Sequence, residues 1–110
     1  MTTYSWTYTT WPDPAAAETA AARLVAERLC ACANILPGMT SVYRWQGAVE
    51  TAQETVMVLK TTGDRSAALC ERILELHPYG EPCVLSLPVD ADGSAPGFLD
   101  WIEAETRRAP

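Results

Sequence analysis

The fold is decided by residues 39–62, MTSVYRWQGAVETAQETVMVLKTT. In the first half, apolar and polar residues alternate, and this period of two, which places Tyr43 and Trp45 on one face, is typical of a β-strand. The second half is a nearly unbroken run of apolar and β-branched residues, which also favours a strand. We therefore predict a hairpin of two long strands, joined by a turn near residues 51–53.

The length of these strands is the reason to expect an oligomer. Strands over residues 39–50 and 53–62, at ~3.3 Å per residue, would reach ~40 Å. A compact domain of this size has a radius of gyration near ~13 Å, so the hairpin should project beyond it. Its exposed apolar side chains would promote aggregation unless other subunits covered them, and we infer an obligate homo-oligomer. The alternative is a bent hairpin that folds back on its own helices.

Clear signals precede the hairpin. Residues 3–9 alternate aromatic and hydroxyl side chains, which predicts a first strand. Asp13 is a suitable N-cap and Pro14 a suitable first residue for a helix over residues 14–30. The extended pattern then resumes, and its interruption at residues 37–38, a Pro-Gly pair, predicts a bulge or bend.

Further elements follow the hairpin. Asp64 is a plausible cap for a second helix, which Pro78 should end because a proline pushes the preceding residue out of helical geometry. Residues 82–89, PCVLSLPV, predict a fourth strand. Residues 98–108 form a short amphipathic pattern that predicts a last helix, with the positive charges of Arg107 and Arg108 favourable near its C-terminus.

The predicted order is strand, helix, strand, strand, helix, strand and an extra helix. This order predicts an α+β fold, a ferredoxin-like βαββαβ sandwich with a long central hairpin. The 110 residues are enough for a single domain, residues 1–110, and too few for a second. The same fold carries many unrelated functions, so the function has to be argued from a site.

Composition and charge exclude several classes of protein. A formal net charge of −6 makes nucleic acid an unsuitable partner, because binding the phosphate backbone needs clustered basic residues. No apolar run approaches the ~20 residues of a membrane span, so no membrane association is expected. The N-terminus MTTYSWTYTTW lacks the pattern of a signal peptide. We therefore expect a cytoplasmic protein whose four cysteines are reduced.

Four stretches together resemble the CutA family of divalent-cation tolerance proteins. They are ERLCACANILPGMTSVYRWQGAVE (27–50), VLKTT (58–62), ELHPYGEPCVLSLPV (75–89) and FLDWI (98–102). The resemblance implies a ferredoxin-like protomer and a tight homotrimer, sealed by strand pairing between the long hairpins of neighbouring subunits. It also implies binding of divalent cations, Cu(II) in particular, without enzymatic activity. The family trimer is similar to that of PII signalling proteins, which implies ligand sensing as an alternative.

The family motif is matched residue by residue over most of the chain. The matching positions are Cys32, Asn34, Pro37, Gly38, Ser41, Tyr43, Trp45, Gly47, Lys60, Thr61, His77, Pro78, Tyr79, Pro82 and Trp101. Three positions depart from it: Gly80 and Cys83 stand where the family usually has acidic or amide residues, and Phe98 replaces a tyrosine. Two candidate oxygen ligands are thereby lost and one thiol is added.

The candidate metal ligands are His77, Cys83 and Cys32. His77 is the only histidine of the chain, and it lies in the HPYGEP segment. Imidazole suits Cu(II), and thiolate suits Cu(I) or zinc, so a weakly bound divalent cation is the expected cofactor and no organic cofactor is expected. One His and one Cys per chain would need water or another subunit to complete the coordination. In the structural alternative, His77 only finishes a helix.

The candidate small-molecule cleft is predicted from Tyr43, Trp45, Lys60 and Tyr79. A ligand-sensing protein would place them at a boundary between subunits, where Lys60 could hold an anion or a carboxylate. Aromatic residues on a hairpin are more often core or interface residues than ligand platforms. The chain also has no phosphate loop and no defensible nucleophile–base spacing, so we expect no enzyme.

Overall fold

A four-stranded antiparallel sheet with three helices forms the frame in this computed structural model, which describes residues 1–107. The elements are β1 (Tyr4–Trp11), α1 (Pro14–Ala26), β2 (Cys32–Trp45), β3 (Ala48–Thr62), a 3₁₀ turn (Gly63–Arg65), α2 (Ser66–Leu76), β4 (Val84–Val89) and α3 (Pro96–Thr106). The strand order across the sheet is β2-β3-β1-β4. The predicted α+β class and element order are confirmed. Arg108 and the end of the predicted 1–110 domain lie outside the described residues.

The two faces of the sheet are covered unequally. Helices α1 and α2 pack on one face, where the fully buried side chains include Leu24, Met57, Leu59, Leu69 and Ile73. Helix α3 covers only one end of the opposite face, where its residues Leu99 and Ile102 contact Tyr4. None of the helices within residues 1–107 is long and apolar enough to span a membrane.

The remainder of the second face, which we call the open face, is not covered by any helix of the described residues and carries large exposed apolar side chains. Successive strand residues point to opposite faces, so residues paired across the sheet in one row share a face. One such row runs from Cys32 through Lys60 and Trp6 to Leu87. Large exposed side chains on or beside this face are Trp6, Leu85, Leu87, Phe98 and Trp101.

The central hairpin projects, as predicted. Strands β2 and β3 contain 14 and 15 residues, but β1 reaches only as far as the pair Trp11–Thr55. Beyond Thr55, β2 and β3 continue as a two-stranded ribbon to the pair Trp45–Ala48. The longest axis of the molecule is consequently 46 Å, against 29 and 21 Å for the others.

The predicted bulge at residues 37–38 is confirmed, because the pairing of β2 with β3 shifts between Leu36 and Met39. Gly38 supplies a positive φ of 77° there. The extra residue changes which β2 side chains share a face: Leu36 precedes it and Met39 follows it on the same side.

The predicted position of the hairpin turn is wrong. The chain turns at Gln46 and Gly47, both with positive φ (49° and 82°), whereas residues 51–53 are part of β3. Positive φ at both central residues is the geometry of a two-residue turn whose twist matches that of the flanking strands. The WQGA tetrapeptide therefore ends the first strand five residues earlier than the alternation indicates.

Two helix boundaries also differ from the prediction. The Asp13 cap is confirmed, since its Oδ1 accepts from the Ala16 N–H at 2.8 Å. Helix α1 ends at Ala26 rather than at residue 30, because Arg28 takes a positive φ of 59° and closes the helix. Asp64 is not a cap: its carboxylate accepts a hydrogen bond from the Thr62 hydroxyl.

Replacing Gly47 by alanine should destabilise the protein by about 1 kcal/mol, because a Cβ in the left-handed region clashes with its own backbone. A Cβ added at Gly47 would meet no other atom within 4 Å, so the cost comes from the backbone alone. The measurement is the free energy of unfolding in urea. Gly97→Ala, in the first turn of α3 with equally open surroundings, is the control and should be close to neutral. Equal losses for both variants would contradict the assigned turn.

Candidate cation and ligand site

A cavity of about 690 Å³ lies between the open-face side of the projecting hairpin and the loop that joins α2 to β4. We call it the hairpin pocket. Strands β1, β2 and β3 and the α2–β4 loop all contribute to its walls. The lining residues are Tyr8, Thr10, Met39, Ser41, Val42, Tyr43, Trp45, Glu50, Ala52, Glu54, Tyr79, Gly80, Glu81 and Cys83.

The charged side chains that line the hairpin pocket are all acidic. Three of its lining residues are glutamates and none is Lys, Arg or His. Burial and the Glu54 carboxylate together raise the pKa of the Tyr79 hydroxyl and of the Cys83 thiol. Burial, Glu50 and Glu54 likewise raise the pKa of Tyr43. Glu54 therefore acts on residues from both sides of the cavity, on Tyr43 of the hairpin and on Tyr79 and Cys83 of the α2–β4 loop.

Hydrogen bonds hold two of the lining phenols. The Tyr43 hydroxyl donates to Glu50 Oε2 at 3.4 Å, across the β2–β3 ribbon. The Tyr8 hydroxyl donates to the Met39 Sδ at 3.5 Å, which is within range for a sulfur acceptor. Both tyrosines are thereby oriented towards the space enclosed by the hairpin.

His77 lies at the end of α2, where its own N–H donates to the Ile73 carbonyl. Its ring is buried and stacks on Trp11 at a centroid distance of 4.2 Å. Nε2 lies 2.8 Å from the Thr10 carbonyl oxygen, and Nδ1 accepts from the Tyr79 backbone N–H at 3.1 Å. A carbonyl only accepts, so Nε2 carries the proton and both ring nitrogens are occupied. A metal ion at either nitrogen would have to replace one of these bonds.

The three predicted metal ligands are not brought together. Cys83 lines the hairpin pocket and His77 lies behind it. Cys32 is at the start of the edge strand β2, where it pairs with Lys60. All four cysteines are free thiols; Cys30 is buried, which raises its pKa to about 12. Within residues 1–107, no three His, Cys, Asp or Glu side chains are close enough to hold one metal ion.

Three of the four predicted cleft residues, Tyr43, Trp45 and Tyr79, line the hairpin pocket together. Lys60 lies elsewhere on the open face, with its Nζ 5.3 Å from the centroid of the Phe98 ring. On a single chain, Lys60 is therefore separate from the hairpin pocket.

Sequence reasoning missed Glu54, Met39 and Tyr8 as pocket residues. Glu54 begins a strand pattern that stands out by its apolar residues rather than by its charge. The even spacing of Glu54, Val56 and Val58 could have shown that the three share one face of the strand. Met39 lies on the pocket face only because the bulge shifts the register of β2 by one residue, and the sequence alone does not show that shift.

The family match and the most similar known proteins indicate the same family. Residues 5–105 match the family described as CutA1 divalent ion tolerance protein. The divalent-cation tolerance protein CutA of Thermus thermophilus is 46% identical over 97 residues, which cover 88% of this chain and 92% of that protein.

Solved structures agree with the sequence match. CutA1 from Oryza sativa superimposes with a TM-score of 0.91 at 34% identity, over 97% of this chain and 96% of that chain. The periplasmic divalent cation tolerance protein CutA from Archaeoglobus fulgidus gives 0.89 at 33% identity, over 94% and 99%. Sequence and fold therefore lead to the same conclusion, that this chain belongs to the CutA1 family of divalent ion tolerance proteins.

Proposed function

We propose that this protein binds a divalent cation in the hairpin pocket and contributes to metal tolerance without catalysing a reaction. The observation that carries the proposal is the lining of the pocket, which has three glutamates, a thiol and no basic side chain. Such a pocket attracts cations and repels anions. The names of the relatives, which are tolerance proteins, support the same role.

Cys83 and Glu54 are the ligands that we place at the cation. They belong to one cavity, and the carboxylate acts on the thiol closely enough to raise its pKa. A thiolate with a carboxylate suits zinc, and a thiolate also suits Cu(I). The remaining coordination positions would be filled by water or by a neighbouring subunit. His77 and Cys32 stay predicted ligands, each requiring a rearrangement or a partner subunit.

The proposed assembly is a homotrimer of ferredoxin-like protomers. It is supported by the open face, where Trp6 and Leu85 are 42% and 59% exposed, and by the ribbon that extends past β1. Exposed apolar surface of this extent marks an interface in a stable protein. Burial against second and third copies would cover it and complete the hairpin pocket. We place the trimer in the cytoplasm, as the sequence predicts.

Calorimetric titration of Zn(II) into the reduced protein tests the cation role, with Cu(II) as a second metal. We expect saturable binding that weakens at least tenfold in Cys83→Ser and in Glu54→Gln. The Cys83 thiol must lose its proton to bind the metal as a thiolate, and its pKa is raised, so the affinity should increase from about pH 6.5 to about pH 8.

Cys70→Ser is the matched control for that titration, because Cys70 lies on α2, across the sheet from the pocket. Cys32→Ser shows whether the second predicted thiol contributes. Binding that is equally strong in Cys83→Ser, Glu54→Gln and wild type would overturn the assigned site. Sedimentation of the metal-free protein tests the trimer separately.

A second candidate function is ligand sensing of the PII-like type, with a small molecule in the cleft between subunits. The size of the hairpin pocket favours it, since about 690 Å³ is within the range of small-molecule sites. The aromatic side chains that line the pocket are the usual complement of such sites.

A further inference from the structure

We propose that the hairpin pocket binds an organic ammonium ion, held between the Tyr43 and Tyr79 rings beside the Glu54 carboxylate. The proposal names a ligand class for the ligand-sensing alternative, and it does not depend on metal binding. It rests on three properties of one cavity: its volume, its unneutralised carboxylate and its aromatic walls.

The volume of the pocket fits an organic ligand better than a bare metal ion. Residues 1–107 bring together no group of three His, Cys, Asp or Glu ligands, so a metal ion in this pocket needs water or a neighbouring subunit to complete its coordination. An organic ion has no such requirement. The hairpin pocket instead encloses about 690 Å³, inside the ~300–1,000 Å³ range of pockets for small molecules.

The charge of the pocket requires a cation. Glu54 is half-buried and forms no ion pair with any residue in 1–107. Glu50 accepts a hydrogen bond from the Tyr43 hydroxyl, and Glu54 interacts in the same way with the Tyr79 side chain. A phenol is uncharged, so neither carboxylate is neutralised. An ammonium ion placed beside Glu54 would be attracted by the charge of this carboxylate.

The walls of the pocket select an organic cation. Tyr43, Tyr79 and Trp45 are 40%, 41% and 53% exposed and line the same cavity. Tyr43 and Tyr79 are close enough for the charge of one to raise the pKa of the other. Aromatic faces attract a cation through their quadrupole, and cages of such rings with a nearby carboxylate suit alkylammonium groups, whose charge is spread over apolar carbon.

The experiment compares choline with its neutral carbon analogue, 3,3-dimethyl-1-butanol, which has the same shape without the charge. Each is titrated into the native protein in the presence of EDTA, and binding is followed by calorimetry and by ligand-observed NMR. We expect saturable choline binding and at least tenfold weaker binding of the alcohol. Equal binding of the two, or no saturable choline binding, would overturn the proposal.

Substitutions of the pocket residues test whether choline binds in the hairpin pocket. Glu54→Gln should weaken choline binding at least tenfold, whereas Glu71→Gln, the same charge change on the exposed side of α2, should leave it unchanged. Tyr43→Phe keeps the aromatic face and should retain binding, but Tyr43→Leu should lose most of it. If Tyr43→Leu fails to fold, Glu54→Gln and the choline–alcohol pair still decide the matter.

Zinc titration of the same proteins, this time without EDTA, separates this proposal from the divalent-cation role. Zinc binding with no choline binding would overturn only the ammonium site. Choline binding with no zinc binding would overturn only the divalent-cation site. A pocket filled by a side chain of a neighbouring subunit would exclude choline from the wild-type protein, which also counts against the proposal.

Discussion

Replacing Trp11 by alanine should destabilise the protein by about 4 kcal/mol, the cost typical of removing a fully buried tryptophan. Trp11 is 0% exposed and packs in the core between the sheet and the two helices. Its indole N–H donates to the Thr9 hydroxyl at 2.7 Å, and that hydroxyl donates in turn to the Met57 carbonyl. The substitution therefore removes packing and breaks a buried chain of hydrogen bonds.

Trp11→Phe is the control, because it keeps an aromatic ring against His77 and removes mainly the indole N–H. We expect a loss of about 2 kcal/mol, intermediate between wild type and alanine, since a buried hydroxyl then lacks one partner. Urea unfolding at several protein concentrations measures both variants and separates folding from subunit association. A loss below about 1 kcal/mol for Trp11→Ala would contradict the burial described here.

Replacing His77 by alanine should cost about 3 kcal/mol, whether or not metal is present. The substitution leaves the buried Thr10 carbonyl without its partner, and an unsatisfied buried group costs ~1–3 kcal/mol. The part-buried Tyr79 N–H also loses its acceptor, at a smaller cost because water can replace it. It also removes the stacking on Trp11. The free energy of unfolding is measured in EDTA and again with Zn(II).

His77→Gln is the matched variant, because its amide can donate to the Thr10 carbonyl without offering an imidazole to a metal. It should recover part of the stability lost in His77→Ala. A stability loss that occurs only with Zn(II) present would show instead that His77 is a ligand. The comparison decides between the two roles that the sequence leaves open for the HPYGEP segment.

The local sequence pattern was sufficient to predict the helices and strands but not the positions at which they begin and end. Alternation and apolar runs predicted the strands, and Pro37-Gly38 predicted the bulge, because these signals depend on neighbouring residues only. The turn was misplaced because the alternation of the first strand continues through Gln46 and Gly47 to residue 50, whereas residues 51–53 pair with β2. A two-residue turn interrupts a periodic pattern too briefly to stand out.

The site was predictable only in part, for a geometric reason. Tyr43, Trp45, Tyr79 and Cys83 were identified by residue type or family position, and they line one cavity. Their proximity to Glu54 depends on how the ribbon is placed opposite the α2–β4 loop, which is a relation between distant segments. The two hydrogen bonds of the His77 ring depend in the same way on Thr10, a residue of β1.

The place of β1 in the middle of the sheet has a consequence for folding during synthesis. This strand is made first, yet both its neighbours come later: Trp11 pairs with Thr55, and Tyr4 pairs with Val89. Contacts between such distant positions form slowly, because a long loop must close before any of them is gained. On the ribosome, the hairpin can form while β1 has one free edge, which remains open until β4 emerges. We therefore expect the nascent chain to be most prone to aggregation in that interval.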